Sequence, residues 1–182
     1  MRVIAGEAGG RKIKSIKGTP TRPTLDRIKE AIFNIIAPYI FADKGLDLFA
    51  GFGGLGIEAL SRGIESMVFV ENNYRNCRVI KENLDITGFA DRGIIEKEDV
   101  FDYLKSSSEL YGLVFMDPPY NQDYVERVLT LLSENQCIKD NAIIVAEHEV
   151  DYKYKVIKGI ELIKQKQYGD TGISIFTKGG SL

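Results

Sequence analysis

Two stretches of the 182-residue chain place reactive groups where the backbone would hold them rigidly. The first is Asp117-Pro118-Pro119-Tyr120, which ends the apolar run Tyr111 to Met116. Two successive prolines remove two N–H donors and stiffen the chain, so the Asp117 carboxylate and the adjacent carbonyls become a fixed set of acceptors. Acceptors facing one way suit a substrate that offers an NH2 group, and the ring of Tyr120 gives a flat surface on which an extruded base can stack. An ordinary loop after a strand is the bland alternative, and the glycine turn upstream weighs against it. That turn is the second stretch, Leu46-Asp47-Leu48-Phe49-Ala50-Gly51-Phe52-Gly53-Gly54-Leu55-Gly56. A short apolar run carrying one acid ends in clustered glycines, and a helix-like segment, Leu55 to Arg62, follows. Glycine permits positive φ and close approach of a ligand to the backbone, while the helix behind it presents unpaired N–H groups and a positive dipole end.

Gly51-x-Gly53-x-x-Gly56 is a literal G-x-G-x-x-G, and Glu71 lies 20 residues beyond Gly51, the spacing of a dinucleotide site. Two features argue against a nicotinamide dinucleotide. Asp47 just ahead of the loop repels a pyrophosphate but attracts an ammonium. The remainder of the chain is also too short for a second mononucleotide half and a substrate domain. Acids recur at the ends of apolar runs, at Asp47, Glu71, Asp99 and Asp117, and a cationic, methionine-bearing ligand such as S-adenosylmethionine suits them better than any phosphate. The bland readings are an N-cap for Asp99 and a plain strand-end acid for Glu71.

These residues need a scaffold, and the patterning predicts an α/β one. Strands are expected at 45–49, 66–71, 93–96, 111–116 and 142–147, alternating with helices at 54–62, 73–86, 99–107 and 122–133. Nearly continuous apolar strands in such alternation mean a parallel sheet covered by helices on both faces, which binds ligands beyond the carboxyl ends of its strands. The chain closes differently: 160–167 and 173–178 read as an antiparallel hairpin. Ahead of the sheet, Arg2 to Ala5, a Gly9-Gly10 turn and the alternating Lys12 to Ile16 fit a small β-hairpin. Thr24 reads as the N-cap of a helix with Leu25, Ile28, Ile32, Ile35 and Ile36 on one face and Arg27, Glu30 and Asn34 on the other. The expected division is a basic extension, 1–40, and a catalytic domain, 41–182.

Composition, 44% hydrophobic and 27% charged, is that of a globular protein with room for a real core. No run approaches a membrane span and no signal-peptide core opens the chain, so the expected location is cytoplasmic. Cys77 and Cys137, each in a pattern that reads as helical, and a single histidine make neither a zinc site nor a disulfide framework, and no metal is expected. The net charge of -2 hides an asymmetry. Residues 1–30 hold eight Lys or Arg against three acids, and the rest holds 16 against 23. A basic arm on an acidic body is a footprint of nucleic-acid contact, although a solvated basic surface is equally compatible with charge alone.

The Asp-Pro-Pro-Tyr loop resembles the signature of amino-group methyltransferases that use S-adenosylmethionine. The whole chain is similar to the RsmD-type 16S rRNA guanine-N2 methyltransferases. That likeness runs through Arg2 to Gly6, Gly9 to Arg11, Thr21 to Thr24 with Asp26, Arg27 and Glu30, Phe33-Asn34, Asp47 to Gly51, Gly56 to Gly63, Asp117 to Tyr120 and Tyr168 to Thr171. It implies a Rossmann-like seven-stranded methyltransferase sheet with a C-terminal antiparallel hairpin and a small basic N-terminal extension. It also implies that Glu71 holds the ribose, Asp99 the adenine amino group with the Val100 N–H nearby, and Asp47 and the backbone of Gly51, Phe52 and Gly53 the methionine end, with Phe49 and Asn72 among the cofactor-binding residues. Typical members carry a small residue where this chain has Phe52. Asp117 and the Pro118 carbonyl would orient the amine, with Pro119 stiffening the loop and Tyr120 stacking on the base. Arg2, Arg11, Lys12, Lys14 and Arg22 are the candidate phosphate contacts. The implied partner is 16S rRNA or the small ribosomal subunit, the implied target guanine-966, and the implied state a monomer. The alternatives are an adenine-N6 DNA methyltransferase, which shares the loop but normally needs a recognition domain, and a catalytically silent RNA-binding assembly factor.

Overall fold

A computed structural model describes residues 1–15, 22–40, 42–119 and 123–179. Seven strands form one sheet: β1 Lys44–Leu48, β2 Ser66–Val70, β3 Gly93–Glu96, β4 Tyr111–Met116, β5 Ile138–Glu149, β6 Ile160–Tyr168 and β7 Thr171–Lys178. Their order across the sheet is β3-β2-β1-β4-β5-β7-β6. The first five run parallel, and β7 enters antiparallel between β5 and β6. The chain order reverses between β1 and β4, which opens a crevice at their carboxyl ends.

Among the described residues five α-helices, α1 Arg22–Ile36, α2 Gly54–Ser61, α3 Tyr74–Thr87, α4 Val100–Ser106 and α5 Tyr124–Glu134, cover the sheet. Two apolar cores follow from the two-residue period of the strands. One face carries Met67, Phe69, Leu113, Phe115, Ile143 and Val145 against α1, α2 and α3. The other carries Leu46, Leu48, Val114, Met116, Ile144 and Ala146 against α4 and α5. Among the described residues no helix is long and apolar enough to cross a membrane.

Several boundaries differ from the sequence expectation by one or two residues, and three differences have a plain physical reason. Helix α1 begins at Arg22, two residues before the expected Thr24 cap, with Pro23 in its first turn, where a missing N–H costs nothing. Strand β5 starts at Ile138, four residues early. Its first part pairs with Tyr111 before the register shifts, and Asn141 sits at φ 60 near that irregularity, so the periodic signal resumes only at 142. Cys137 accordingly precedes a strand and lies outside α5, whereas Cys77 is helical as expected. The N-terminal hairpin is present in short form, an antiparallel bridge of Arg2 with Lys12 beside bonds from the Val3, Gly10 and Ile13 N–H groups to the Arg11, Val3 and Met1 carbonyls, and Ile16 lies outside the described residues. Its apolar residues Met1, Val3, Ala8 and Ile13 join the core of α1 and α2, so residues 1–13 of the arm are packed onto the sheet domain.

Candidate active site

The loop after β1 is held in an unusual shape. Phe49, Gly51 and Gly53 take φ of 56, 56 and 78, the left-handed region, and for the non-glycine Phe49 this costs about 1 kcal/mol or more. Backbone bonds fix it: Ala50 N–H donates to the Val70 carbonyl at 3.1 Å and Gly53 N–H to the Ala50 carbonyl at 2.7 Å. The Gly51 N–H donates to Glu71 Oε2 at 2.9 Å, and the Asn73 N–H to Glu71 Oε1 at 2.8 Å. Gly56 N–H donates to Asp47 Oδ2 at 2.9 Å. A Cβ at Gly56 would lie 2.3 Å from the Phe69 ring of β2, so glycine lets α2 pack this closely on that ring.

Strand alternation explains the electrostatics. Asp47, Glu71, Asp117 and Glu147 each continue the inward series of their strand on the α1 to α3 face, within two residues of its carboxyl end. Four carboxyl groups thus gather on one face of one crevice. Burial, reinforced by Asp117 and Glu71, pushes Asp47 up to about 8 and outweighs the stabilising Gly56 N–H. Surrounding protein likewise raises Asp117 to about 6, although its side chain opens to the cleft. Glu147 is held well above its ordinary value by burial and then by Asp117 and Asp47. A cation in this crevice would relieve all three at once.

Beside the acids lies a cavity of about 340 Å³ lined by Phe49, Glu71, Asn72, Asp99, Val100, Phe101, Asp117, Pro119 and Tyr124, among others. Phe49 stacks on Tyr124 at 5.8 Å and 7°, and Phe101 meets Tyr124 edge-on at 5.1 Å, giving the cavity an aromatic wall. Asp99 does cap α4, accepting the Phe101 N–H through Oδ1 at 2.8 Å, and it still lines the cavity. Acceptors at one end, a flat apolar wall and carboxylates at the other fit an adenosine joined to a cationic amino acid. Phe52 does not line this cavity. Its ring lies over Gly54 together with Met1, so the bulk at this position is absorbed on the arm side.

A second cavity, of about 400 Å³, lies across Pro119, lined by Pro118, Glu126, His148, Glu149, Tyr152 and Lys153 among others. His148 is buried with both nitrogens engaged, Nδ1 to the Glu149 carbonyl at 2.6 Å and Nε2 to Ser174 Oγ at 2.8 Å, and burial lowers its basicity.

The arm's charges are partly committed within the protein. Arg2 pairs with Asp26 at 3.4 Å and Lys14 with Glu82 at 2.7 Å. Arg11 donates to the Ile86 and Thr87 carbonyls at 3.1 and 2.9 Å, closing the end of α3. Lys12 is exposed. Buried Glu58 on α2 anchors the arm: it accepts the Ile4 and Ala5 N–H groups and pairs with Lys29 at 3.1 Å and Arg62 at 2.8 Å. Tyr120 and the side chain of Arg22 lie outside the described residues. Arg27, Glu30 and Asn34 are exposed and line neither cavity described above.

Sequence reasoning missed Glu147, Phe101 and Tyr124. The rule that found Asp47, Glu71 and Asp117, an acid at the carboxyl end of a strand, also finds Glu147 when it is applied to β5. The two aromatics carry no comparable signal, because their meeting depends on how α4 and α5 pack.

This sheet order and this set of loops define a Rossmann-like methyltransferase of the S-adenosylmethionine-dependent class. The sequence profile of the family described as "Conserved hypothetical protein 95" matches residues 1–177, and the chain belongs to that family. A Bacillus subtilis relative called "Putative rRNA methyltransferase YlbH" is 39% identical over 99% of this chain and 100% of its own. "Ribosomal RNA small subunit methyltransferase D" of Haemophilus influenzae is 36% identical over 93% of this chain and 89% of its own. The solved structure called "Putative methyltransferase yhhF" from Escherichia coli superposes with a TM-score of 0.86 at 31% identity, covering 98% of this chain and 97% of that one.

Proposed function

We propose that the protein transfers a methyl group from S-adenosylmethionine to the exocyclic N2 of one guanine in 16S rRNA, with guanine-966 the expected target. The observation that carries the amino-group chemistry is the Asp117-Pro118-Pro119 acceptor set at the junction of the two cavities. The name of the Haemophilus influenzae relative supports a small-subunit RNA substrate.

The cofactor, when bound, supplies an electrophilic methyl on a sulfonium. Glu71, with Asn72 beside it, would hold its ribose, Asp99 and the Val100 N–H its adenine, and Asp47 with the left-handed loop its amino-acid end. The N2 amine of guanine is a poor nucleophile because its lone pair is delocalised into the ring. Asp117 and the Pro118 carbonyl accept its two hydrogens and favour a pyramidal nitrogen with the lone pair aimed at the methyl. Orientation and electrostatics then supply most of the acceleration. Asp117, already raised to about 6, accepts the proton late and passes it to solvent. The cavity bounded by Pro118, His148 and Tyr152 gives room for the extruded base.

The test is Asp117→Ala. Transfer should fall by about 10²-fold or more while S-adenosylhomocysteine still binds within about threefold of wild type. Normal turnover by this variant would refute the mechanism.

A further inference from the structure

The acidic crevice that suits a cationic cofactor repels the phosphates of an RNA substrate, so RNA affinity must come from its flanks. One flank is the arm, whose Arg2, Arg11, Lys14 and Lys29 already bond to Asp26, the end of α3, Glu82 and Glu58. The other flank is the β6 edge of the sheet. From Tyr152 to Tyr168 the chain carries five lysines against the single acid Glu161, interleaved with three tyrosines. Lys153, Lys164 and Lys166 are exposed and form no ion pair among the described residues, whereas Lys155 lies 3.8 Å from Glu126.

Register places these three beside the site. Lys166 pairs with Ile173, and Ile173 with Glu147, so Lys166 shares a row and a face with the acids of the crevice. Three strand spacings separate it from β4, roughly 14 Å. Lys164 lies on the same face, opposite Ile175. Lys153 reaches the rim from the other side, where the Tyr152 carbonyl accepts a bond from Gln165 and Lys153 itself lines the cavity beyond Pro118 and Pro119. Lysine on an edge strand also blocks strand addition, which would account for Lys164 and Lys166 alone. It does not account for Lys153, which lies outside the strand and at the mouth of a cavity.

We propose that Lys153, Lys164 and Lys166 form a second contact surface for the RNA backbone, on the side of the crevice opposite the arm. This rests on the RNA reading above and extends it: the strand crosses the acidic crevice between two cationic banks, and the β6 bank adds three exposed cations to the arm's exposed Lys12. These contacts hold phosphates and do not read bases.

The experiment uses the full chain with lysines 153, 164 and 166 replaced by glutamine. Its control, with the same charge change, replaces Lys44, Lys139 and Lys158 at the opposite, amino-terminal end of the sheet. Binding to protein-free 16S RNA is measured over a salt series, and S-adenosylhomocysteine binding in parallel. The rim variant should lose about tenfold or more in RNA affinity at low salt, and its slope of log affinity against log salt should become shallower by about 2. Cofactor affinity should not change, which also establishes that the variant is folded, and the control should bind RNA as wild type does. Wild-type affinity and slope in the rim variant would overturn the second surface, as would an equal loss in the control. A wild-type protein that does not bind the RNA at all would overturn the RNA reading itself.

Discussion

Asp47 illustrates how this site trades stability for function. Its carboxyl is buried and pushed up to about 8, so the folded state holds a proton that the unfolded chain releases near its ordinary value of 3.8. As pH rises from about 4 to about 8, ionisation of the unfolded chain increasingly favours unfolding, and the penalty levels off above the folded value. Asn at this position keeps an oxygen to accept the Gly56 N–H and has no proton to lose. Asp47→Asn should therefore match the wild-type melting temperature near pH 4 and exceed it increasingly toward pH 8. It should also bind S-adenosylmethionine about tenfold or more weakly, because the cation loses a carboxylate. Thermal scans across this range, paired with calorimetric titration, check both halves, and a variant less stable than wild type at pH 8 would contradict the account. At this scale the sequence was readable where one residue type does a job by itself: acids at strand ends, prolines that strip donors, glycines in a turn. It was silent where the job depends on neighbours. The commitment of Arg11 to the end of α3 and the placement of the Phe52 ring against Met1 and Gly54 are products of packing.

Between elements, Asn83 of α3 makes the most consequential connection. Fully buried, it accepts the Lys14 N–H at 2.8 Å and donates to the Lys14 and Phe52 carbonyls at 3.0 and 2.9 Å. One amide therefore fastens the arm and the cofactor loop to the same helix. Removing it leaves partly buried backbone groups without these partners, at about 1 kcal/mol or more. Asn83→Ala should lower the melting temperature and weaken S-adenosylhomocysteine binding, although residue 83 lines neither of the two cavities described. Unchanged cofactor affinity would show that the loop holds its shape without this bond. The elements themselves were largely legible, since long apolar runs and glycine or proline punctuation are local signals. The early start of β5 was not, because its first residues pair before a register shift that interrupts the alternation. Nor was the shortness of the arm's hairpin, because Glu58 and Ser61 of α2 draw residues 4 to 8 onto that helix.

The whole molecule is an acidic crevice with a basic arm packed against one side of the sheet domain and a lysine-rich edge on the other. The alternation of strands and helices, read from sequence, specifies a doubly covered parallel sheet, and the closing hairpin follows from its change of pattern. The way β7 inserts between β5 and β6 is not written in any local stretch; it places Lys166 in the row of Glu147 and makes the far edge part of the site's surroundings. The central claim is that this crevice methylates a guanine amine in small-subunit RNA. Its most direct test is transfer of a labelled methyl from S-adenosylmethionine to protein-free 16S RNA, to small subunits lacking the modification, and to duplex DNA, followed by nucleoside analysis. The account predicts label in N2-methylguanosine from the RNA or the subunits. Label in DNA adenine, or no transfer by a protein that binds the cofactor, would contradict it.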